Sequence, residues 1–127
     1  MKQNIIFQYL IFSVIFVLVD SIYLTLASTF FKKQISSIQK SPLSLKMIST
    51  ALCYVFLTFG IFYFSIIKKL SLLETFFLGI FVYGVYETTN HAIFKNWKWI
   101  TVIMDTAWGG ILFSLVVFLY RKVLTFI

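Results

Sequence analysis

The sequence predicts an all-α protein: a four-transmembrane-helix bundle with both termini on the same side. Three observations carry that prediction. The 127 residues are 61% hydrophobic and only 12% charged, about half the charged share of a soluble domain, and their mean hydropathy is +0.97. The apolar residues fall into four continuous runs, each near the roughly 20 residues that cross a bilayer as a helix. The basic residues punctuate the ends of those runs, as lysines and arginines do at membrane flanks. A membrane barrel would need at least eight short alternating strands, and these runs are continuous and few.

The first helix is expected over about residues 5–27, where apolar residues run from Ile5 to Ala27. A cleaved signal peptide, with Lys2 as basic region and Thr25-Leu26-Ala27 as cleavage site, would have a shorter apolar core. The only long connection follows, over 28–46. In it Phe30, Phe31, Ile35 and Ile38 recur at near-helical spacing against Lys32, Lys33, Gln34 and Lys40. That pattern gives an amphipathic helix within 28–40 lying in the interface; the alternative is that the first helix continues beyond the membrane. Ser41-Pro42 interrupts any helix there.

The second helix is expected over about 47–67, the third over 72–90 after a tight turn, and the fourth over 99–120. Residues 1–127 thus form a single transmembrane helical domain. Trp97, Trp99, Tyr63 and Tyr120 fall at span ends, as an aromatic belt would. Gly60, Gly79, Gly84, Gly109 and Gly110 would let helix backbones approach.

The net charge of +7 does not point to nucleic acid, because no basic patch forms. One side of the membrane receives Lys2, Lys68, Lys69, Arg121 and Lys122; the other receives Lys32, Lys33, Lys40, Lys46, Lys95 and Lys98. Orientation requires an asymmetry between the sides, and these are balanced. Cys53 is the single cysteine, so no disulfide framework exists.

Asp20, Glu87 and Asp105, three of the four acidic residues, fall inside spans. A carboxylate in hydrocarbon costs roughly 2.5 kcal/mol or more, so it faces a bundle interior and marks function or specificity. At 1.5 Å per residue, Asp20 and Asp105 both lie roughly 10 Å below the membrane face that carries the 28–46 connection. Glu87, Asn90 and Tyr54 enter at the same level. Stripes on the helices agree: Gly79, Tyr83, Tyr86, Glu87 and Asn90 on the third; Thr101, Asp105, Trp108, Gly109 and Leu112 on the fourth; Ser13, Val17, Asp20, Leu24 and Ala27 on the first.

The candidate ligand-binding residues are therefore Asp20, Tyr54, Tyr83, Tyr86, Glu87, Asn90, Asp105 and Trp108. They would bind a lipid-like or small polar ligand, with membrane lipid as the partner. Three alternatives stay open. A membrane enzyme would act on an acyl or isoprenoid lipid, with Asp20 or Asp105 as acid–base. A homo-oligomer would conduct protons or cations, although the opposite half of every span is nearly all Phe, Leu, Ile and Val. A purely structural network would only fix helix register. His91 reads as a helix-ending residue favoured by the dipole. Glu74 complements the dipole at the start of the third helix. No close metal-ligand spacing, phosphate loop or dinucleotide fingerprint occurs, so no metal and no cofactor are expected.

Tyr83-Gly84-Val85-Tyr86-Glu87-Thr88-Thr89-Asn90, then Trp97, then Asp105-Thr106-Ala107-Trp108-Gly109 resembles a bacterial family of small four-helix membrane proteins, a domain of unknown function. Its pattern reads Y-G-x-Y-D-x-T-N, a tryptophan in the next turn, then D-x-x-W-G. Asp20 with Tyr23-Leu24, and Tyr54 with Gly60, match the family's first and second helices. Glu87 stands where the pattern has aspartate, a longer acid that fits a tolerant hydrogen-bonding or proton role. The resemblance implies a multi-pass location in the membrane and no reaction.

Overall fold

The structure, a computed structural model, describes residues 4–127; Lys2 lies outside them. Among the described residues there are helices and no strands. Helix α1 spans Ile5–Leu26, α2 Ser28–Gln39, α3 Met47–Ile61, α4 Leu72–Ile93 and α5 Trp99–Leu124. The end of α3 widens into a π-helical turn over Phe62–Ile67. Three segments are long and apolar enough to cross a membrane: Ile5–Leu26, Met47–Ile67 and Trp99–Leu124. Helix α4 equals α1 in length at 22 residues, but Glu74, Tyr83, Tyr86, Glu87, Asn90 and His91 dilute its apolar character.

Local chemistry sets the ends. Asn4 caps α1, its Oδ1 accepting from the Ile6 N–H at 2.7 Å. Ser71 and Glu74 form a reciprocal capping box at the start of α4, which satisfies two otherwise orphaned donors. Helix α2 is separated from α1 by a single residue, Ala27. It ends at Lys40, whose φ of 60° places a lysine where glycine is usual. At the π turn the Lys68 N–H reaches the Tyr63 carbonyl at 3.0 Å. Arg121 of α5 donates to Ser65 O within that turn at 3.1 Å and to Leu70 O just beyond it at 2.7 Å.

Helix α5 is the central element. Its buried side, Thr101, Val102, Asp105, Leu112, Phe113, Val116, Val117 and Tyr120, meets α1 and α4. Helices α4 and α5 pack antiparallel along much of their length. Their closest approach is between glycines: a Cβ added to Gly79 would collide with the Gly109 carbonyl, and one on Gly110 would come within 2.7 Å of Phe76 and 2.9 Å of Ile80. Gly60 and Gly84 differ from the expectation. Gly60 borders open space and Gly84 has only ordinary contact with Thr106, so neither draws two backbones together.

Three further expectations change. The buried side of α1 is Phe12, Phe16 and Asp20, while Val17 and Leu24 are exposed; of the expected stripe only Asp20 is buried, and the rings of Phe12 and Phe16 pack against α5 and the α3 segment. Trp97 and Tyr120 are buried, so of the four span-end aromatics only Tyr63 and Trp99 face outward. The half of the bundle away from the acids also holds polar pairs. Thr58 gives its hydrogen to the Tyr54 carbonyl, so Tyr9 donates to Thr58 Oγ1 at 2.7 Å. Ser65 and Thr75 share a buried bond at 2.7 Å.

Candidate functional site

The carboxylates sit where three helices converge near α2. Asp20 of α1 is 6% exposed, as is Asp105 of α5, and Glu87 of α4 is fully buried. Asp20 accepts from the Tyr54 hydroxyl of α3 at 2.7 Å on one oxygen and from the Trp108 indole of α5 at 3.2 Å on the other. Asp105 accepts from the Tyr23 hydroxyl of α1 at 3.2 Å. Glu87 Oε1 accepts from the Trp97 indole at 2.8 Å. No N–H or O–H among the described residues donates to Glu87 Oε2. The carboxyl of Asp105 lies within hydrogen-bonding reach of the Glu87 carboxyl.

Of the sequence-derived candidates, the structure thus brings together Asp20, Tyr54, Glu87, Asp105 and Trp108. Tyr83 is half-buried and packs its ring against Phe113, with centroids 6.0 Å apart. Tyr86 is 57% exposed on the outer side of α4, and Asn90 is half-buried near its end. None of these three donates to a carboxylate. The His91 ring lies on Trp99 with centroids 3.9 Å apart.

Tyr23, Trp97 and Gln34 were not among the candidates. Tyr23 had a sequence signal: Asp20-x-x-Tyr23 on α1 repeats the spacing of Asp105-x-x-Trp108 on α5. Trp97 looked like a belt residue because a span-end tryptophan and an indole donor read alike. Gln34 looked like one polar residue among many on α2. It is 4% exposed, and its Oε1 accepts from the Lys98 N–H at 3.1 Å and the Thr101 hydroxyl at 2.8 Å. Those bonds cap the start of α5 from a neighbouring helix.

Beside this network a cavity of about 580 Å³ opens between α2 and the α4–α5 turn, with Trp97, Gln34, Lys33, Lys95 and Lys98 in its wall. Trp97 belongs to both cavity and network. Among the described residues no group of three His, Cys, Asp or Glu side chains is placed to hold a metal ion.

No curated protein and no solved structure matches this chain. A family model does match, over residues 5–120, which include the three carboxylates and all four of their donors; the family is described as Predicted membrane protein (DUF2177). With that match and three helices apolar enough to span, the chain is an integral, multi-pass membrane protein and belongs to the DUF2177 family.

Proposed function

We propose that this protein crosses the membrane four times, with both termini on one side, and binds a lipid-like ligand beside its buried acidic network. The fourth span is α4. Its outward residues Phe77, Phe81 and Val85 are 47%, 65% and 67% exposed, a surface suited to lipid, and its inner side packs along α5. Single cysteines placed in a Cys53→Ser background at positions 4, 41, 69, 96 and 126 test this topology. Four spans label 4, 69 and 126 from one side and 41 and 96 from the other. Labelling of 69 and 96 from the same side would remove α4 from the membrane.

The observation that carries the ligand reading is the double position of Trp97. Trp97 lines the cavity while its indole N–H holds Glu87, so a ligand against this residue would be felt by the carboxyl pair. Glu87 and Asp105 are both acceptors when ionised, and two carboxyls in contact share a proton more readily than they hold two charges. The pair would then carry one proton and a single negative charge behind Trp97, and a ligand in the cavity would reach it through that indole.

A second reading, a structural network, is favoured by Asp20, both of whose oxygens already have donors. Native mass spectrometry of detergent-extracted wild type beside Asp105→Asn separates the two. A lipid or small molecule held by the wild type and lost in the variant supports the ligand site. Empty samples, with a sharp loss of thermal stability in the variant, support the structural network and sink the ligand reading.

A further inference from the structure

We infer that the cavity between α2 and the α4–α5 turn is an anion site, built for a phosphate group. The inference deepens the ligand proposal and rests on it for the cavity's being occupied; it adds the chemical class of what the cavity holds.

Three lysines converge on one opening from two separate elements: Lys33 from α2, and Lys95 and Lys98 from the turn before α5. No acidic residue lines the cavity, and none of the three lysines has a carboxylate partner among the described residues. Exposed lysines alone would mean little. The wall behind them is specific. Gln34 is 4% exposed and lines the same cavity. Its amide orientation is fixed, because Oε1 accepts from the backbone N–H of Lys98, a group that can only donate. Nε2 therefore stands buried, carrying two hydrogens and no acceptor. A buried donor without a partner is uncommon and costs free energy; an oxygen of a bound anion would satisfy it.

The backbone adds to this. Helix α5 begins at Trp99, beside Lys98, and no side chain of its own caps it. The start of a 26-residue helix carries partial positive charge, and Lys98, the residue just before it, lines the cavity. The two walls are joined by the bond from Asn96 Nδ2 to Ser37 O at 3.3 Å and by the Gln34–Lys98 bond, so the lysines are held on one frame. Three cations, an unsatisfied amide and a helix start call for an anion with several oxygens. A phosphate has that form, whether on a lipid headgroup or on a free phosphate compound.

The test uses the full chain in phosphatidylcholine nanodiscs, with and without phosphatidic acid of the same acyl chains, and native mass spectrometry to count retained lipid. Inorganic phosphate is titrated separately and as competitor. The variant set Lys33→Gln, Lys95→Gln and Lys98→Gln is compared with Lys32→Gln, Lys40→Gln and Lys46→Gln, which removes equal charge from the same end of the protein. Gln34→Glu is the near-isosteric second variant; it keeps the oxygen that caps α5 but adds a charge facing the anion.

The wild type is expected to retain phosphatidic acid over phosphatidylcholine. At about fivefold per lysine near an anionic headgroup, the cavity set should weaken this roughly a hundredfold; the control set should do far less, and Gln34→Glu should also weaken it. Displacement of the lipid by inorganic phosphate identifies the phosphate itself as the recognised group. Phosphate binding without lipid retention also supports the site and names a free phosphate compound as its source. Equal losses in the cavity and control sets, or a wild type that holds neither probe, would overturn the inference. If a neutral species co-purifies with the wild type and is lost in Asp105→Asn while no anion binds, the ligand proposal stands and the anion assignment falls.

Discussion

Tyr23 and Trp108 stack with ring centroids 4.4 Å apart and planes 4° from parallel, and each donates a hydrogen bond to the carboxylate carried by the other's helix. The two helices run antiparallel, since Tyr23 meets Asp105 while Phe12 meets Tyr120. An Asp-x-x-aromatic step on each helix therefore produces a reciprocal clasp. The acids need donors because carboxylates in a low dielectric are costly alone; the rings need polar partners at one end only. Stacking lets one contact serve both requirements.

Tyr23→Phe keeps the stack and removes only the bond to Asp105. Hydrogen bonds between membrane helices average about 0.6 kcal/mol and reach about 1.7 kcal/mol, so this variant should lose about 1 kcal/mol. Trp108→Phe removes the donor to Asp20 and also shrinks the stacked face, and should lose more. Because the two residues touch, the double variant should lose less than the sum, by 0.5 kcal/mol or more on the scale usual for contacting pairs. Reversible unfolding in mixed micelles measures the cycle; strict additivity would show that the clasp does not act as a unit.

Glu87 provides a sharper test of the shared proton. In Glu87→Gln the amide oxygen can still accept from Trp97, and the amide nitrogen can donate to Asp105 in place of that proton. Stability should change by less than about 1 kcal/mol, whereas Glu87→Leu, which strands the Trp97 N–H and the Asp105 oxygen, should cost about 1–3 kcal/mol. In infrared spectra, a protonated-carboxyl carbonyl band that disappears in Glu87→Gln would report the proposed shared proton. A wild type without that band would mean that both carboxyls are ionised.

Gly79 and Gly60 form a matched pair of positions. A methyl group at 79 drives α4 off the Gly109 backbone, where no flexible side chain can yield. Gly79→Ala should destabilise by about 1–3 kcal/mol, the usual range for overpacking. Gly60→Ala meets nothing and should be neutral, or stabilising by up to about 1 kcal/mol through helix propensity. Thermal denaturation in one detergent compares them directly. Equal behaviour of the two would argue against close α4–α5 contact.

Helix class was legible because continuous apolar runs admit little else. The level of the acids was legible because rise per residue is fixed, so Asp20, Glu87 and Asp105 could be placed together from numbering alone. Partner choice was harder. Tyr54 and Trp108 were foreseen as neighbours of the acids, yet Tyr86 points outward although it sits beside Glu87 in sequence. Adjacent helical residues differ by about 100° in direction, and α4 carries polar residues on both sides of Glu87, so its pattern does not say which neighbour is inside. Gln34 was illegible for another reason: its burial depends on α2 folding against the α4–α5 turn, a contact between segments about 60 residues apart.

Arg121 closes the opposite end of the bundle, and its contribution follows from the π turn. The widened turn at Phe62–Ile67 leads into the 68–71 connection, and Ser65 O of the one and Leu70 O of the other both accept from Nη2 of Arg121. Hydrogen bonds from a charged donor are worth about 1.5–3 kcal/mol, and here one group serves two acceptors while tying α3, the turn and α5 together. Arg121→Ala should therefore destabilise by about 2–3 kcal/mol. Arg121→Lys should recover only part of this, since an ammonium reaches two carbonyls without the fixed fork of a guanidinium. Hydrogen exchange at residues 65–71 should rise in Arg121→Ala while exchange around Asp20 stays at the wild-type level. A uniform rise along the chain would instead make Arg121 a determinant of the whole bundle's stability, with no special hold on the π turn.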